Sequence, residues 1–277
     1  MESHSLRTSL VTEQATRWWE DGGGFFGRLY IEADDSIEGF QSVSRSLDAR
    51  TRAEAAGVAE LCRLAPGDRL LDCPCGYGRH SLTLAGMGFQ VVGVDVNDEM
   101  LAAGRAALEQ GVQTNCVLQH GDMRDLPFQG EFDAVVNMFY SFGFFESEEE
   151  NRRALDGLTR ALRPGGRFLM HTFVTPERYQ RGDIVTGATR KLRSGRELQL
   201  CRRFDEATGR EEGQWTIAAP DGSVDALVPY SMRLYSGEEW LALCNQAGFD
   251  EVRLYGDWDG NEYHADRSEL LIVVAVR

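Results

Sequence analysis

The stretch "LLDCPCGYGRHS", Leu70 to Ser81, decides the fold, and it admits two readings. Two cysteines one residue apart suggest metal or redox chemistry, whereas two glycines after an apolar run suggest a loop wrapped around a nucleotide. The cysteine reading fails on spacing. Cys62, Cys73, Cys75, Cys116, Cys201 and Cys244 are spread along the chain without a C-x-x-C ligand pair or a secreted framework. They are expected to be free, mostly buried thiols, with no metal bound.

Outward from that loop the chain alternates. "RLLDC" (69–73) reads as a short apolar strand, and "GRHSLTLAGMG" (78–88) places Leu82, Leu84 and Ala85 at helical spacing. "QVVGVDV" (90–96) is a second buried strand, followed by a helix that Asn97 can cap and that runs to Gln110. "TNCVLQH" (114–120), "FDAVVNMF" (132–139), a helix from about Ser147 to Leu162 and "RFLMHTF" (167–173) continue the pattern. Near-continuously apolar strands joined by helical crossovers belong to a parallel sheet covered on both faces, so the fold class is α/β, doubly wound and Rossmann-like. Beyond residue 173 the texture changes to short alternating strands with turn signals at Thr208-Gly209 and Asp221-Gly222, an inserted antiparallel unit. A helix (237–248) and strands near 250–256 and 270–276 return to the main sheet. The expected division is an N-terminal helical and aromatic lid (1–49), the core (50–175), the antiparallel insertion (176–235) and the C-terminal part of the core sheet (236–277).

The bulk composition narrows the function. With 277 residues, 42% hydrophobic, the chain can bury its own core without metal or disulfide support. Its formal charge of −15 opposes attachment to a phosphate backbone or an anionic membrane, so nucleic acid and membrane are not expected partners. The N-terminus carries no apolar leader and no run approaches the roughly 20 residues of a membrane helix, which points to a cytoplasmic protein.

In doubly wound sheets, ligands bind beyond the carboxyl ends of the strands where the winding reverses. Gly76 and Gly78 permit a tight turn there, and Asp95, at the end of the second strand, can accept both hydroxyls of a ribose. A dinucleotide dehydrogenase would use similar geometry, but counting from Gly76 the G-x-G-x-x-G fingerprint ends on Ser81. An acid, Asp72, instead precedes the loop and suits a cationic ligand end better than a pyrophosphate. Here the chain resembles the class I methyltransferases that use S-adenosylmethionine (SAM). Asp72-Cys73-Pro74-Cys75-Gly76-Tyr77-Gly78 is similar to their first motif, with Pro74 in place of its first glycine. The resemblance extends to Asp95 at the ribose, with Val96 beside it as a further cofactor contact, "GDM" (121–123) with Asp122 and Met123 at the adenine, Asn137 after the fourth strand, and "LRPGGRF" (162–168). "RTRAE" (50–54) resembles a helix in which the arginine, here Arg50, pairs with the cofactor carboxylate. The implied cofactor is SAM, leaving S-adenosylhomocysteine.

Methyl transfer from a sulfonium needs orientation and exclusion of water more than a conspicuous catalytic motif. "RWWEDGGGFFGRLYIEADDSIEGF" (17–40) is too glycine-rich for one regular helix and too aromatic for a free tail, so it is expected to fold over something as a lid. Phe25 and Phe26 from the lid, with Phe139 and Tyr140 after the fourth strand, are the expected acceptor contacts, although such rings also serve as ordinary core. His171, ending the fifth strand, is the best-placed base, with a satisfied buried histidine as its alternative; Tyr30, Glu20 and His80 are weaker candidates.

The lid, the "CGYGRH" loop and the insertion are similar to small-molecule N-methyltransferases of natural-product biosynthesis, such as those of the lincosamide type. That resemblance places Tyr30 and Phe139 at the acceptor, gives Tyr30 a catalytic position, and implies antibiotic biosynthesis and a homo-oligomer built through the insertion. The expected function is methyl transfer to a small-molecule, secondary-metabolite acceptor, with nitrogen favoured. C- or O-methylation of an indole or another aromatic molecule is the alternative, and an NAD-linked oxidoreductase or a non-catalytic SAM-binding protein are remote ones.

Overall fold

A computed structural model describes residues 17–20, 24–36, 46–111 and 114–277. The remaining parts of the expected lid, 1–16, 21–23 and 37–45, lie outside the described residues. Five parallel strands form the heart of the main sheet: β1 (Arg69–Asp72), β2 (Gln90–Asp95), β3 (Cys116–His120), β4 (Phe132–Asn137) and β5 (Leu162–Thr172). The last two strands, β11 (Glu251–Tyr255) and β12 (Leu271–Val276), complete a seven-stranded sheet in the order β11-β12-β5-β4-β1-β2-β3, with β12 antiparallel to both neighbours. From β1 the winding runs one way to β2 and β3 and the other way to β4 and β5. A crevice therefore opens at the carboxyl ends of β1 and β4.

The alternation of side chains along the strands divides the core in two. Leu71, Val135, Phe168 and Met170 face α5 (Glu148–Ala161) and α7 (Gly237–Gln246), burying Leu155, Leu158 and Trp240. Leu70, Ala134, Val136 and Leu169 face α2 (Leu47–Leu61), α3 (Arg79–Gly86) and α4 (Asp98–Gly111), burying Val58, Leu84 and Leu101. Helix starts follow the side chains that satisfy open amides: Asn97 Oδ1 accepts from Met100 N–H at 2.9 Å, and Ser147 Oγ from Glu150 N–H at 3.2 Å.

Two strand boundaries differ from the sequence expectation. β4 stops at Asn137 because Phe139 and Tyr140 both take left-handed backbone angles, φ 60° and 66°, which no strand tolerates. β5 starts early, at Leu162; its pairing with β4 is interrupted between Phe132 and Ala134 by the "RPGG" excursion and resumes at Arg167.

The insertion forms a second, antiparallel sheet of β6 (Gly187–Lys191), β7 (Glu197–Asp205), β8 (Arg210–Ala218), β9 (Val224–Ala226) and β10 (Tyr230–Arg233). Its buried face carries Leu198, Leu200 and Arg202 from β7, Glu211 and Trp215 from β8, and Tyr230 and Met232 from β10. Leu29 and Ala33 of α1 (Arg28–Ser36) pack on that face. The lid and the insertion thus meet over the crevice. No helix among the described residues is long and apolar enough to cross a membrane.

Candidate active site

A cleft enclosing about 880 Å³ opens at the carboxyl ends of β1, β2, β3 and β4. The loop after β1 is tied to both neighbouring strands: Cys73 N–H donates to Val136 O at 3.0 Å and Cys75 N–H to Val94 O at 2.9 Å. Gly76 and Gly78, at φ 57° and 80°, supply the left-handed turns that bring backbone up to the cleft. A Cβ at Gly78 would also press on Leu118 at 3.0 Å. Asp95 organises the turn, since Oδ2 accepts from Gly76 N–H at 2.7 Å and Oδ1 from Asn97 N–H at 2.9 Å. Of the residues expected to hold the cofactor, Cys73, Pro74, Gly76, Asp95, Val96, Asp122 and Met123 line the cleft.

Four expected cofactor residues stand behind the wall rather than in it: Arg50, Asp72, Gly78 and Asn137. Asn137 is wholly buried and staples the loop, donating from Nδ2 to Cys73 O at 2.9 Å and to Ser141 O at 3.3 Å. Asp72 accepts from Ser81 Oγ at 2.6 Å through Oδ2, while its buried Oδ1 has no hydrogen-bond partner among the described residues. Burial pushes the Asp72 carboxyl up to about 7. Arg79, and not Arg50, is among the residues that line the cleft. Arg79 Nη1 donates to Glu54 Oε2 at 2.7 Å and to Thr51 Oγ1 at 2.8 Å, and His80 Nε2 meets the same carboxylate oxygen at 2.8 Å. Burial would raise Glu54, but Arg79 and His80 hold it well below the usual carboxylate range. Arg50 lies 3.7 Å from Glu54 and over the Phe139 ring, 5.1 Å from its centre. The "RTRAE" helix therefore meets the "GRH" segment around Glu54.

A second cavity of about 660 Å³ adjoins the first, and Phe26, Tyr30, Phe139, Ser141 and Phe144 line both. Its wall is aromatic except for Ser141, Leu200, Arg202 and Met232. Phe25 of the lid stacks on Trp215 of the insertion, 4.3 Å apart and 8° from parallel. Trp18 lies 4.6 Å from Phe144 and 5.5 Å from Tyr230. All four expected acceptor residues, Phe25, Phe26, Phe139 and Tyr140, are in this wall, and Tyr30 stands at the junction.

Behind the wall is a group that sequence reasoning missed. Glu211, fully buried, accepts from Tyr230 Oη at 2.7 Å and from the hydroxyls of Tyr140 and Tyr179, with the Arg202 guanidinium 3.5 Å away. The available signal was a charged residue on the inward-facing register of β8, a position that demands a partner. Trp215 and Tyr230 were missed too, because they become neighbours of the lid only through the return of the insertion.

His171 is not brought to either cavity. It is wholly buried, its Nδ1 accepts from Phe139 N–H at 3.3 Å, its carbonyl accepts from Tyr140 N–H at 2.9 Å, and its ring lies 4.9 Å from Trp258. Burial holds the imidazole down at about 4, so it is neutral at pH 7. This position suits a strut beneath the two left-handed residues better than a base. The thiols of the opening loop are likewise quiet: all six cysteines are free, and burial pushes Cys73 and Cys75 well up. Among the described residues no group of His, Cys, Asp and Glu could hold a metal ion.

Comparison with known proteins agrees with the geometry. Residues 70–166 match the family described as "Methyltransferase domain". A dTDP-3-amino-3,6-dideoxy-alpha-D-glucopyranose N,N-dimethyltransferase from Streptomyces fradiae is 32% identical over 206 residues, 70% of this chain and 76% of that one. A demethylmenaquinone methyltransferase from Clavibacter sepedonicus is 37% identical over 146 residues, 50% of this chain and only 57% of that protein. Among solved structures, a SAM-bound amino pentose methyltransferase of calicheamicin biosynthesis from Micromonospora echinaspora superposes with a TM-score of 0.59 at 26% identity, covering 86% of this chain and all of the other (100%).

Proposed function

Because the chain belongs to the SAM-dependent methyltransferases, we propose that it methylates a nitrogen of a small molecule seated in the second cavity. The observation that carries this reading is the shared wall: Tyr30, Phe139 and Ser141 face both cavities, so a ligand in each would meet there. The residues present fit the cofactor. Asp95, already holding the loop amides, turns its carboxylate toward the ribose position, while Val96, Asp122 and Met123 serve the adenine end. The backbone of Cys73, Pro74 and Gly76 receives the amino-acid end, and Arg79, braced by Glu54, takes the carboxylate that the sequence motif gave to Arg50. When bound, the sulfonium supplies an electrophilic methyl group.

The chain's own part is positioning and exclusion of water. Among the described residues, no carboxylate or imidazole lines the second cavity. That favours nitrogen, which needs only a neutral lone pair, over carbon or hydroxyl acceptors, which gain more from a base. Tyr30, at the junction, orients the acceptor nitrogen. The amine of an amino sugar, the substrate that the Streptomyces fradiae relative's name gives, falls within this class. Methylation at carbon or oxygen of an aromatic acceptor is the second reading, favoured by the rings of the cavity.

The test is calorimetric titration of ligand-stripped protein with S-adenosylhomocysteine and with NAD, followed by mass spectrometry of amines incubated with SAM. Binding of the thioether alone and a gain of one methyl on an amine are expected. NAD binding, or no binding of either by demonstrably folded protein, would overturn the proposal.

A further inference from the structure

We infer that the acceptor is a flat aromatic amine or nitrogen heterocycle bearing neither phosphate nor carboxylate; the inference rests on the reading of the second cavity as the acceptor site. The charge balance of the wall argues for it first. Arg202 is the single formally charged side chain among the described residues lining the cavity, and its guanidinium lies 3.5 Å from Glu211. Glu211 also accepts hydrogen bonds from the hydroxyls of Tyr140, Tyr179 and Tyr230. The three hydroxyls are thus directed at a buried carboxylate behind the wall, and the same carboxylate balances the charge of Arg202, whose Nε donates to Val185 O at 2.9 Å. A phosphate or carboxylate entering here would lose its hydration and approach an existing negative charge.

Shape and surface argue the same way. Phe25 and Trp215, stacked on each other 8° from parallel, line the cavity together with the rings of Phe139, Phe144 and Phe173. Polar side chains at the junction with the cleft are Tyr30 and Ser141. A ring therefore enters the aromatic end while its nitrogen points toward the cleft. A protonated amine is tolerated by such faces through cation–π attraction, whereas an anion is repelled by the same quadrupoles.

The experiment is calorimetry on protein saturated with S-adenosylhomocysteine, using tryptamine, 2-phenylethylamine and indole against thymidine diphosphate and glucosamine. At least one aromatic probe should bind on the order of tenfold or more tightly than either comparator. Trp215→Ala and Phe25→Leu should each weaken the aromatic probe by about tenfold, the effect of losing an aromatic anchor, and leave thioether affinity unchanged. The unchanged thioether affinity shows that a variant is folded. Equal or tighter binding of thymidine diphosphate or glucosamine, or no binding of any aromatic probe to thioether-saturated protein, overturns the inference and spares the methyltransferase reading. Failure of the thioether to bind at all removes that reading and this one with it.

Discussion

The cofactor-side cleft and the aromatic cavity share a wall but are made by different means. The cleft is built from strand ends and backbone: the turns at Gly76 and Gly78, the Asp95 carboxylate on two amides, the Asn137 staple. The cavity is built from side chains delivered by distant segments, Phe25 from the lid, Phe139 from the core, Trp215 and Tyr230 from the insertion, with Glu211 fastening the last to Tyr140. The first is a property of the fold; the second can be rebuilt without touching it. Damage to one region should leave the other's ligand affinity intact, and that separability can be tested.

The largest effect should come from Glu211→Ala. It leaves Arg202 buried without its counter-charge and three tyrosine hydroxyls without their acceptor. Breaking a buried pair in this way costs about 3–5 kcal/mol, read as a lower urea midpoint. Native protein that remains should still bind S-adenosylhomocysteine; a coupled loss of that affinity would show that the two regions are one. Next in size is Asp95→Ala, which removes a carboxylate that holds the Gly76 and Asn97 amides. Losing charge-assisted hydrogen bonds should cost about 1.5–3 kcal/mol of thioether affinity by calorimetry, with aromatic-probe binding retained.

The same contrast explains what could be read from the sequence. The order of strands, the loop "CGYG" and Asp95 were legible because the cleft is made from short contiguous segments whose residue types are dictated by backbone geometry. Which arginine faces the cleft was not, because Arg50 and Arg79 share one carboxylate, Glu54, and only packing decides between them. Phe25 and Phe26 could be singled out as aromatic in a glycine-rich stretch, but their partner Trp215 lies almost two hundred positions away. Nothing in strand alternation says which sheet face a lid will cover. Glu211 was concealed for the same reason, since its three tyrosines come from the β4 loop, α6 (Pro176–Gln180) and β10. The insertion was expected to supply an interface between copies; within one chain its buried face already walls the second cavity.

A smaller effect, read by pH, should come from the buried carboxyl behind the cleft wall. Burial raises Asp72 to about 7, above the unfolded value near 3.9. Between those values the folded state binds the extra proton, so this group's stabilisation is full below about pH 4 and is lost as the pH rises toward 7. Asp72→Asn keeps an acceptor for Ser81 and carries no charge. The melting temperature of the variant should therefore gain on the parent between about pH 4 and pH 7, by an amount worth at most a few kcal/mol. A constant difference across that range would mean that Asp72 is ionised throughout.

The smallest effect, and the most discriminating for mechanism, concerns His171. A base must reach the acceptor, whereas this imidazole lines neither cavity, is neutral at pH 7 and accepts the Phe139 amide from below. Its work is to hold two consecutive left-handed residues, Phe139 in the shared wall and Tyr140 in the wall of the second cavity. Such conformations cost about 1–3 kcal/mol each and persist only when their surroundings enforce them. Asparagine at 171 can still accept that amide but cannot act as a base near neutrality. His171→Asn should keep most of the turnover and the parent's pH–rate profile, while His171→Ala loses about tenfold through a slackened Phe139, the scale expected for one lost hydrogen bond. A base would behave otherwise: both variants would fall together and the acid limb of the profile would disappear. Rescue by asparagine thus assigns the histidine to the architecture of the aromatic cavity and leaves the chemistry to positioning.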